Sequence, residues 1–345
     1  MISAPHLRRT AIAGLALCGA LALIPSPARA DGALDACDAL AAARFDQERP
    51  ANVTPVDLPQ IDGAKARPAC EAAVAAVPAE RRAIYELGRV QLAAKDYAAA
   101  FDSFKKASDL GSAMATADLA TMYDLGIGRA KDPVTARGLA QKAADAGNPL
   151  AAFNLAVMVQ SGRGGPKDPA KARGLLEKAT AAGVPRAFAR LGYAQELGIG
   201  GPIDLQKAKA TYTTCANDPT PGVGQPLCQR RLGFLYDTGA LGRGDPTAAK
   251  LLFEKAAAGG DIEALRALGQ VYEMGKGVHP DYAKARDYYE KAAAKGDAGA
   301  MRLLGLLYER GLGVPRDAAK AKSWADKAKT AADTEQALKE AGEAN

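Results

Sequence analysis

The chain has 345 residues, of which 48% are hydrophobic, 24% are charged and 6% are aromatic. This balance excludes an intrinsically disordered chain, and an abundance of alanine with few aromatic residues favours closely packed helices. The formal net charge is +6, but three of the arginines lie in the first 30 residues. The remainder is too nearly neutral to indicate nucleic-acid binding.

Residues 1–30 have the organisation of a secretory signal peptide: a basic start, an apolar run over 11–24 and a small-residue cleavage site ending at Ala30. The apolar run is about 14 residues long, shorter than the roughly 20 that a membrane-spanning helix needs. A lipoprotein signal at Cys18 is the alternative, but Leu17 stands where a small residue is needed. We therefore expect cleavage after Ala30 and a periplasmic or secreted protein that is not an integral membrane protein.

Four cysteines follow this leader: Cys37, Cys70, Cys215 and Cys228. An even number in an exported chain predicts two disulfides. Three pairings are possible, and proximity along the chain favours Cys37 with Cys70 and Cys215 with Cys228. A metal site is not expected, because there is no CxxC pair and His279 is the only histidine after the leader.

Beyond the leader the chain divides into four further segments. Residues 31–80 do not repeat, and we expect this cysteine-containing segment to cap the N-terminal end of the repeating units. Residues 81–112 hold a leucine–glycine pair without a glycine-rich loop after it, a pattern that resembles an ordinary tetratricopeptide unit. Residues 113–330 hold six longer units, and 331–345 form a C-terminal tail.

The six longer units share residue types at fixed positions. The recurring leucine is Leu119, Leu155, Leu191, Leu232, Leu268 and Leu304, at spacings of 36, 36, 41, 36 and 36. Seven residues after each leucine stands a glycine, thirteen after it an aspartate and seventeen after it an alanine. The glycine permits the positive φ that ends a first helix, the aspartate caps a second helix, and alanine lets the two helices approach closely. Each unit is therefore predicted to be a helical hairpin whose apolar face is covered by its neighbour, so that the units stack into a solenoid.

The last unit shows the whole motif, through Ala300, Leu304, Gly305, Tyr308, Gly311, Gly313, Val314, Asp317, Lys320 and Ala321. This motif resembles the Sel1-like repeat, a tetratricopeptide-like family, and the resemblance covers about 113–330. It implies an all-α fold, a right-handed α-solenoid of helical hairpins, of which we expect seven. Segment 31–80 resembles the one that precedes such repeats in exported bacterial proteins. The resemblance also implies an adaptor or regulator of the cell envelope.

The sequence offers little for catalysis. One histidine and five serines follow the leader, which leaves almost nothing for a Ser-His-Asp arrangement. The glycine loops lack the lysine-serine ending of a phosphate-binding loop, so no cofactor is expected. We therefore expect a protein that is not an enzyme. The alternatives are a cell-wall hydrolase using the recurring carboxylates Glu196, Asp237 and Glu273, and a scaffold that self-associates through its last helices.

In tetratricopeptide-like solenoids one face of the first helix lines a concave groove. In this chain that face holds the positions two before, two after and five after the recurring leucine. The candidate groove residues are Arg230, Arg266 and Arg302 two before the leucine, and Tyr193, Phe234, Gln270 and Leu306 two after it. Aromatic residues outside the stacking seam anchor bound partners, so Tyr193 and Phe234 predict a site for a protein or peptide of the cell envelope. The alternative for the charged residues is that the arginines pair with the acidic residues of neighbouring units.

Overall fold

The computed structural model describes residues 27–218 and 225–344. The leader up to residue 26 and residues 219–224, in the loop between Cys215 and Cys228, therefore lie outside the described residues. The described residues form sixteen α-helices and one 3-10 turn at Leu58–Gln60, with no β-strand among them. The expected all-α fold class is confirmed.

Within the described ranges, seven hairpins follow an N-terminal helix pair. In chain order the helices are α1 (Pro27–Ala41), α2 (Gly63–Ala76), α3 (Arg81–Ala93), α4 (Tyr97–Asp109), α5 (Ala113–Leu125), α6 (Pro133–Asp145), α7 (Pro149–Ser161), α8 (Pro169–Ala181), α9 (Pro185–Leu197), α10 (Leu205–Ala216), α11 (Gln225–Asp237), α12 (Pro246–Ala258), α13 (Ile262–Met274), α14 (Tyr282–Ala294), α15 (Ala298–Arg310) and α16 (Ala318–Ala344). Each helix packs chiefly against the helices before and after it. This is the contact pattern of a solenoid, with hairpins from α3–α4 to α15–α16.

The recurring glycines end the first helices and shape the loops. Gly126 follows α5 in the left-handed conformation with φ 72°, and its N–H donates to the carbonyl of Met122. Gly200, in the loop after α9, has a φ of 72°, and a side chain there would collide with the backbone of Pro169 at the start of α8. Glycine is required at both positions because it alone adopts this conformation freely and leaves this space.

The recurring aspartates begin the second helices. Oδ1 of Asp132 accepts hydrogen bonds from the N–H groups of Val134 and Thr135 at 3.1 and 3.0 Å. Oδ1 of Asp281 accepts one from the N–H of Lys284 at 2.9 Å. These bonds satisfy N–H groups that have no partner within the helix, and the capping prediction is confirmed.

The seam between units contains the recurring leucine and alanine. Leu155 and Leu304 are fully buried, as are Ala136 and Ala285. Burial of alanine at these positions allows the close helix approach that the sequence predicted.

The glycine that follows the recurring leucine makes room for an aromatic ring of the second helix. Gly233 of α11 lies against the ring of Phe253, and a Cβ on Gly233 would stand 2.6 Å from a ring carbon. Two units have alanine in place of this glycine, and the corresponding second-helix residue is then Ala140 opposite Ala120 and Leu176 opposite Ala156. Neither of these units has an aromatic ring to accommodate at that position.

The non-repeating N-terminal segment packs on the first hairpin. Helices α1 and α2 contact each other and α3, and a disulfide joins Cys37 of α1 to Cys70 of α2. The Arg89 guanidinium of α3 donates hydrogen bonds to the carbonyls of Ala41 and Val56, the latter at 2.7 Å. The segment is thus joined to α3 by a buried polar side chain as well as by apolar packing.

A second disulfide joins Cys215 of α10 to Cys228 of α11. It lies in the unit that carries the longer, 41-residue leucine spacing. Both disulfides are those that proximity along the chain favoured.

A pair of carboxyl groups is buried between α1 and α3. Glu86 is fully buried, and neither of its oxygens accepts a hydrogen bond from the described residues. Asp38 is equally buried, and its Oδ1 lies 3.0 Å from Nε of Arg82. Burial first, and then the charge of Asp38, raise the pKa of Glu86 to about 9. Glu86 therefore carries a proton at neutral pH.

The last helix, α16, extends to Ala344 and so includes most of the segment 331–345 that was expected to be a tail. This segment is rich in alanine and glutamate, which favour helix continuation. Across the described residues, no helix is both long enough and apolar enough to cross a membrane.

Candidate binding groove

The first helices of four successive units, α5, α7, α9 and α11, form a groove of about 1740 Å³. Thr121, Val157 and Tyr193 line it, and all three stand two residues after the recurring leucine. This position therefore points into the groove in three consecutive units.

Among the seven candidate groove residues, all of which are described, Tyr193 is the one that lines this groove. It is 37% exposed, and the guanidinium of Arg231 lies 4.6 Å from its ring centre. Arg231 is also 3.7 Å from a carboxylate oxygen of Glu196. The cation–π contact orients the Tyr193 ring and leaves more than a third of the residue accessible to a partner.

Phe234 does not lie free in the groove. It is half-buried, its ring centre is 5.1 Å from that of Phe253 in an edge-to-face arrangement, and it packs against the core formed by α12 and α13. Because Gly233 lets Phe253 approach α11 closely, Phe234 finds an aromatic partner inside the protein. The expectation that Phe234 lies outside the stacking seam is corrected.

The arginines two before the leucine link neighbouring units. Arg230 is buried, with Nε 2.9 Å from Oδ1 of Asp261 and an additional ion pair to Glu263. Nη1 of Arg266 lies 2.6 Å from Oδ2 of Asp297. Asp261 and Asp297 cap the first helices of the following units, so each arginine joins one unit to the next. This corrects the expectation that Arg230 and Arg266 line the groove and favours the alternative, in which the arginines pair with acidic residues of neighbouring units.

The other three candidates lie beyond the groove. Gln270 is half-buried on α13, whereas Arg302 and Leu306 are exposed on α15. Because the groove lining comes from α5 to α11 and the adjoining loops, these residues belong to a different part of the solenoid.

The three carboxylates considered for hydrolysis are held by partners within the chain. The pairs are Glu196 with Tyr212 at 2.8 Å, Glu273 with Tyr289 at 2.6 Å and Asp237 with Lys276 at 2.7 Å. The unit of Asp237 has Phe253, which lacks a hydroxyl, where the other two units have tyrosine. The Asp237 carboxylate therefore pairs with Lys276 of the next unit instead. None of the three carboxylates lines the groove.

A cluster of three arginines, which sequence reasoning missed, dominates the charge of the groove. Arg186 and Arg190 lie one turn apart on α9 and both are exposed, while Arg163 follows α7. Partial burial first, and then the like charges of Arg163 and Arg186, lower the pKa of Arg190. Asp124 accepts a hydrogen bond from Arg163 at 2.7 Å. Because Asp124 offsets the charge of Arg163, the two arginines of α9 supply most of the positive charge of this cluster.

One cluster in the described residues has the residue types and proximity of a metal site: Cys37, Cys70 and Glu86. The two sulfur atoms are joined in a disulfide, and metal coordination by cysteine requires the thiolate. The cluster in its present form is therefore a disulfide packed beside a buried carboxyl group.

The Sel1 repeat family model matches this chain at residues 81–112, 113–148, 149–184, 185–210, 226–261, 262–297 and 298–333. The chain belongs to the Sel1-repeat family. The match includes the unit at 81–112, which lacks the glycine-rich loop, and it covers all four units whose first helices form the groove.

Solved structures of Sel1-repeat proteins are similar to this one. A Sel1 repeat protein from Oxalobacter formigenes is 26% identical, with a TM-score of 0.65 over 71% of this chain and 96% of that chain. The protein c5321, a protective antigen of uropathogenic Escherichia coli strains displaying an SLR fold, is 28% identical, with a TM-score of 0.54 over 79% of this chain and 65% of that chain. No curated protein matches. The expected Sel1-like solenoid is confirmed.

Proposed function

We propose that this Sel1-repeat protein is an exported scaffold that binds a segment of another protein in the groove formed by α5, α7, α9 and α11. Sel1 repeats are generally protein-interaction scaffolds and are typically non-catalytic. The observation that carries the proposal is the groove itself, in which Tyr193 and the 59% exposed Leu125 stand beside arginines. Accessible apolar side chains in a concave surface are the groups that a bound partner covers.

Two features support export. Residues 1–30 have the pattern of a cleavable signal peptide, and the described part of the chain holds two disulfides, which persist in oxidising compartments. In the cell envelope the groove faces other exported proteins, and the protein acts there as an adaptor or regulator.

Site-specific photo-crosslinking tests the proposal. A photoreactive amino acid replaces Leu125, in the groove, or Lys178, which is exposed on the second helix α8 and does not line the groove. Irradiation of cells that naturally produce the protein should yield a discrete crosslinked protein from Leu125, and mass spectrometry identifies the segment attached.

The Lys178 variant serves as the matched control, because both positions are exposed on a helix. It should give no such product. A partner captured at Lys178 and not at Leu125 would show that the outer surface, and not the groove, binds protein.

A further inference from the structure

The groove is positively charged although the chain as a whole is nearly balanced. Among the described residues, its basic lining residues are Lys131, Arg163, Lys167, Arg186, Arg190 and Arg231, against the single acidic residue Asp124. The whole chain, in contrast, has 45 lysines and arginines against 39 aspartates and glutamates. The positive charge is therefore a local property of the groove. A concave surface of one sign attracts and selects ligands of the opposite sign.

Arg186 and Arg190 are among the lining cations that lack a counter-ion in the described part of the chain. No carboxylate oxygen there lies within 4.0 Å of the guanidinium nitrogens of Arg186 or Arg190, whereas Arg163 has Asp124 at 2.7 Å. Arg186 and Arg190 are four residues apart on one helix, a spacing at which like charges repel. The lowered pKa of Arg190 reflects partial burial and the same repulsion. A bound anion would relieve this repulsion.

Apolar groups lie among the cations. The Arg190 guanidinium is 5.9 Å from the ring centre of Phe153, and that of Arg231 is 4.6 Å from the ring centre of Tyr193. Leu125 adds an exposed aliphatic side chain. This mixture fits a polypeptide that carries carboxylates and apolar side chains together, and it fits a polyanionic sugar chain less well, because a sugar chain has no apolar side chains.

The size of the groove fixes the length of the segment. Four first helices packed about 10 Å apart span about 30 Å, which an extended chain covers with about nine residues. We propose that the groove takes an extended acidic segment of a partner protein, with aspartate or glutamate carboxylates at Arg186 and Arg190 and apolar side chains on Tyr193 and Leu125. This inference rests on the proposed function and adds the chemistry of the bound segment.

Peptide selection tests the inference. The full exported protein selects from a phage-displayed library of random peptides about ten residues long, and the selected peptides should be rich in aspartate and glutamate interspersed with apolar residues. A dye-labelled selected peptide then gives dissociation constants by fluorescence anisotropy. The double variant Arg186→Glu with Arg190→Glu should weaken its binding by at least about tenfold.

The matched control is Lys142→Glu with Lys178→Glu, which changes the net charge equally at equivalent exposed positions of α6 and α8. It should leave the affinity within about twofold, because surface charges outside an interface contribute little to binding. Circular dichroism should show both double variants folded, since all four side chains are exposed.

Three results would overturn the inference. Equal weakening by both double variants would mean that overall charge, and not the groove, holds the peptide. Selection of neutral or basic peptides would refute the acidic chemistry, while the proposed function would stand if those peptides block crosslinking from Leu125. Selection of no peptide, together with binding of polygalacturonate, would assign the groove to an acidic polysaccharide.

Discussion

Replacing Glu86 by glutamine should remove a pH-dependent loss of stability. The pKa of Glu86 is about 9 in the folded protein and 4.5 is its ordinary value, so between these values the folded chain keeps a proton that the unfolded chain releases. The free energy of unfolding therefore falls as pH rises through this window. Each pH unit costs about 1.4 kcal/mol, which gives on the order of 4 kcal/mol between about pH 5 and about pH 8.

Glutamine keeps the shape of the protonated carboxyl group but does not titrate. Urea unfolding followed by far-ultraviolet circular dichroism should therefore show the Glu86→Gln variant gaining about 4 kcal/mol of stability relative to the wild type as the pH rises from about 5 to about 8. Glu71→Gln, which removes an exposed carboxylate of α2, is the control and should follow the wild type. Parallel stability curves for Glu86→Gln and the wild type would show that Glu86 is ionised in the folded protein.

Three further outcomes are expected. Gly233→Ala should lower the free energy of unfolding by about 1–3 kcal/mol, because the new Cβ meets an aromatic ring. The control Gly138→Ala, in the middle of α6 with no neighbouring atom within 4 Å, should raise the free energy of unfolding by about 0.5–1 kcal/mol. Equal changes in thermal unfolding for the two variants would refute the tight contact at Gly233. Replacing Cys215 and Cys228 by serine should cost about 3 kcal/mol in urea unfolding, and unchanged stability would mean that the disulfide contributes nothing. The exported protein should begin at Asp31, and an intact mass that includes residues 1–30 would refute cleavage.

The hairpins could be predicted because their signals are local. Gly126 and Asp132 perform their roles through bonds to residues within a few positions along the chain, so the recurring pattern alone identifies them. The buried leucines and alanines follow from the same period. The disulfide pairing could also be predicted from the sequence, because each pair brackets one non-repeating or lengthened segment.

The groove was harder to predict because it depends on contacts between units. Arg230 stands two residues before the recurring leucine, a position that was assigned to the groove. Its partner Asp261 lies 31 residues further along the chain, at the start of the next unit. The same 31-residue spacing separates Arg266 from Asp297, and this regularity was the available signal. The cation at Arg190, one residue before the recurring leucine, was missed because that position was not assigned to the concave face.

The arginine–aspartate link between units makes the length of the solenoid adjustable. Deleting residues 262–297 would leave Asp261 directly ahead of Ala298, the place that Asp297 now occupies at the start of α15. Arg230 would then meet the same capping carboxylate in the same register. Duplication or loss of a whole unit thus leaves this polar link intact. Evolution can lengthen or shorten the array in 36-residue steps while the chemistry of the link stays constant.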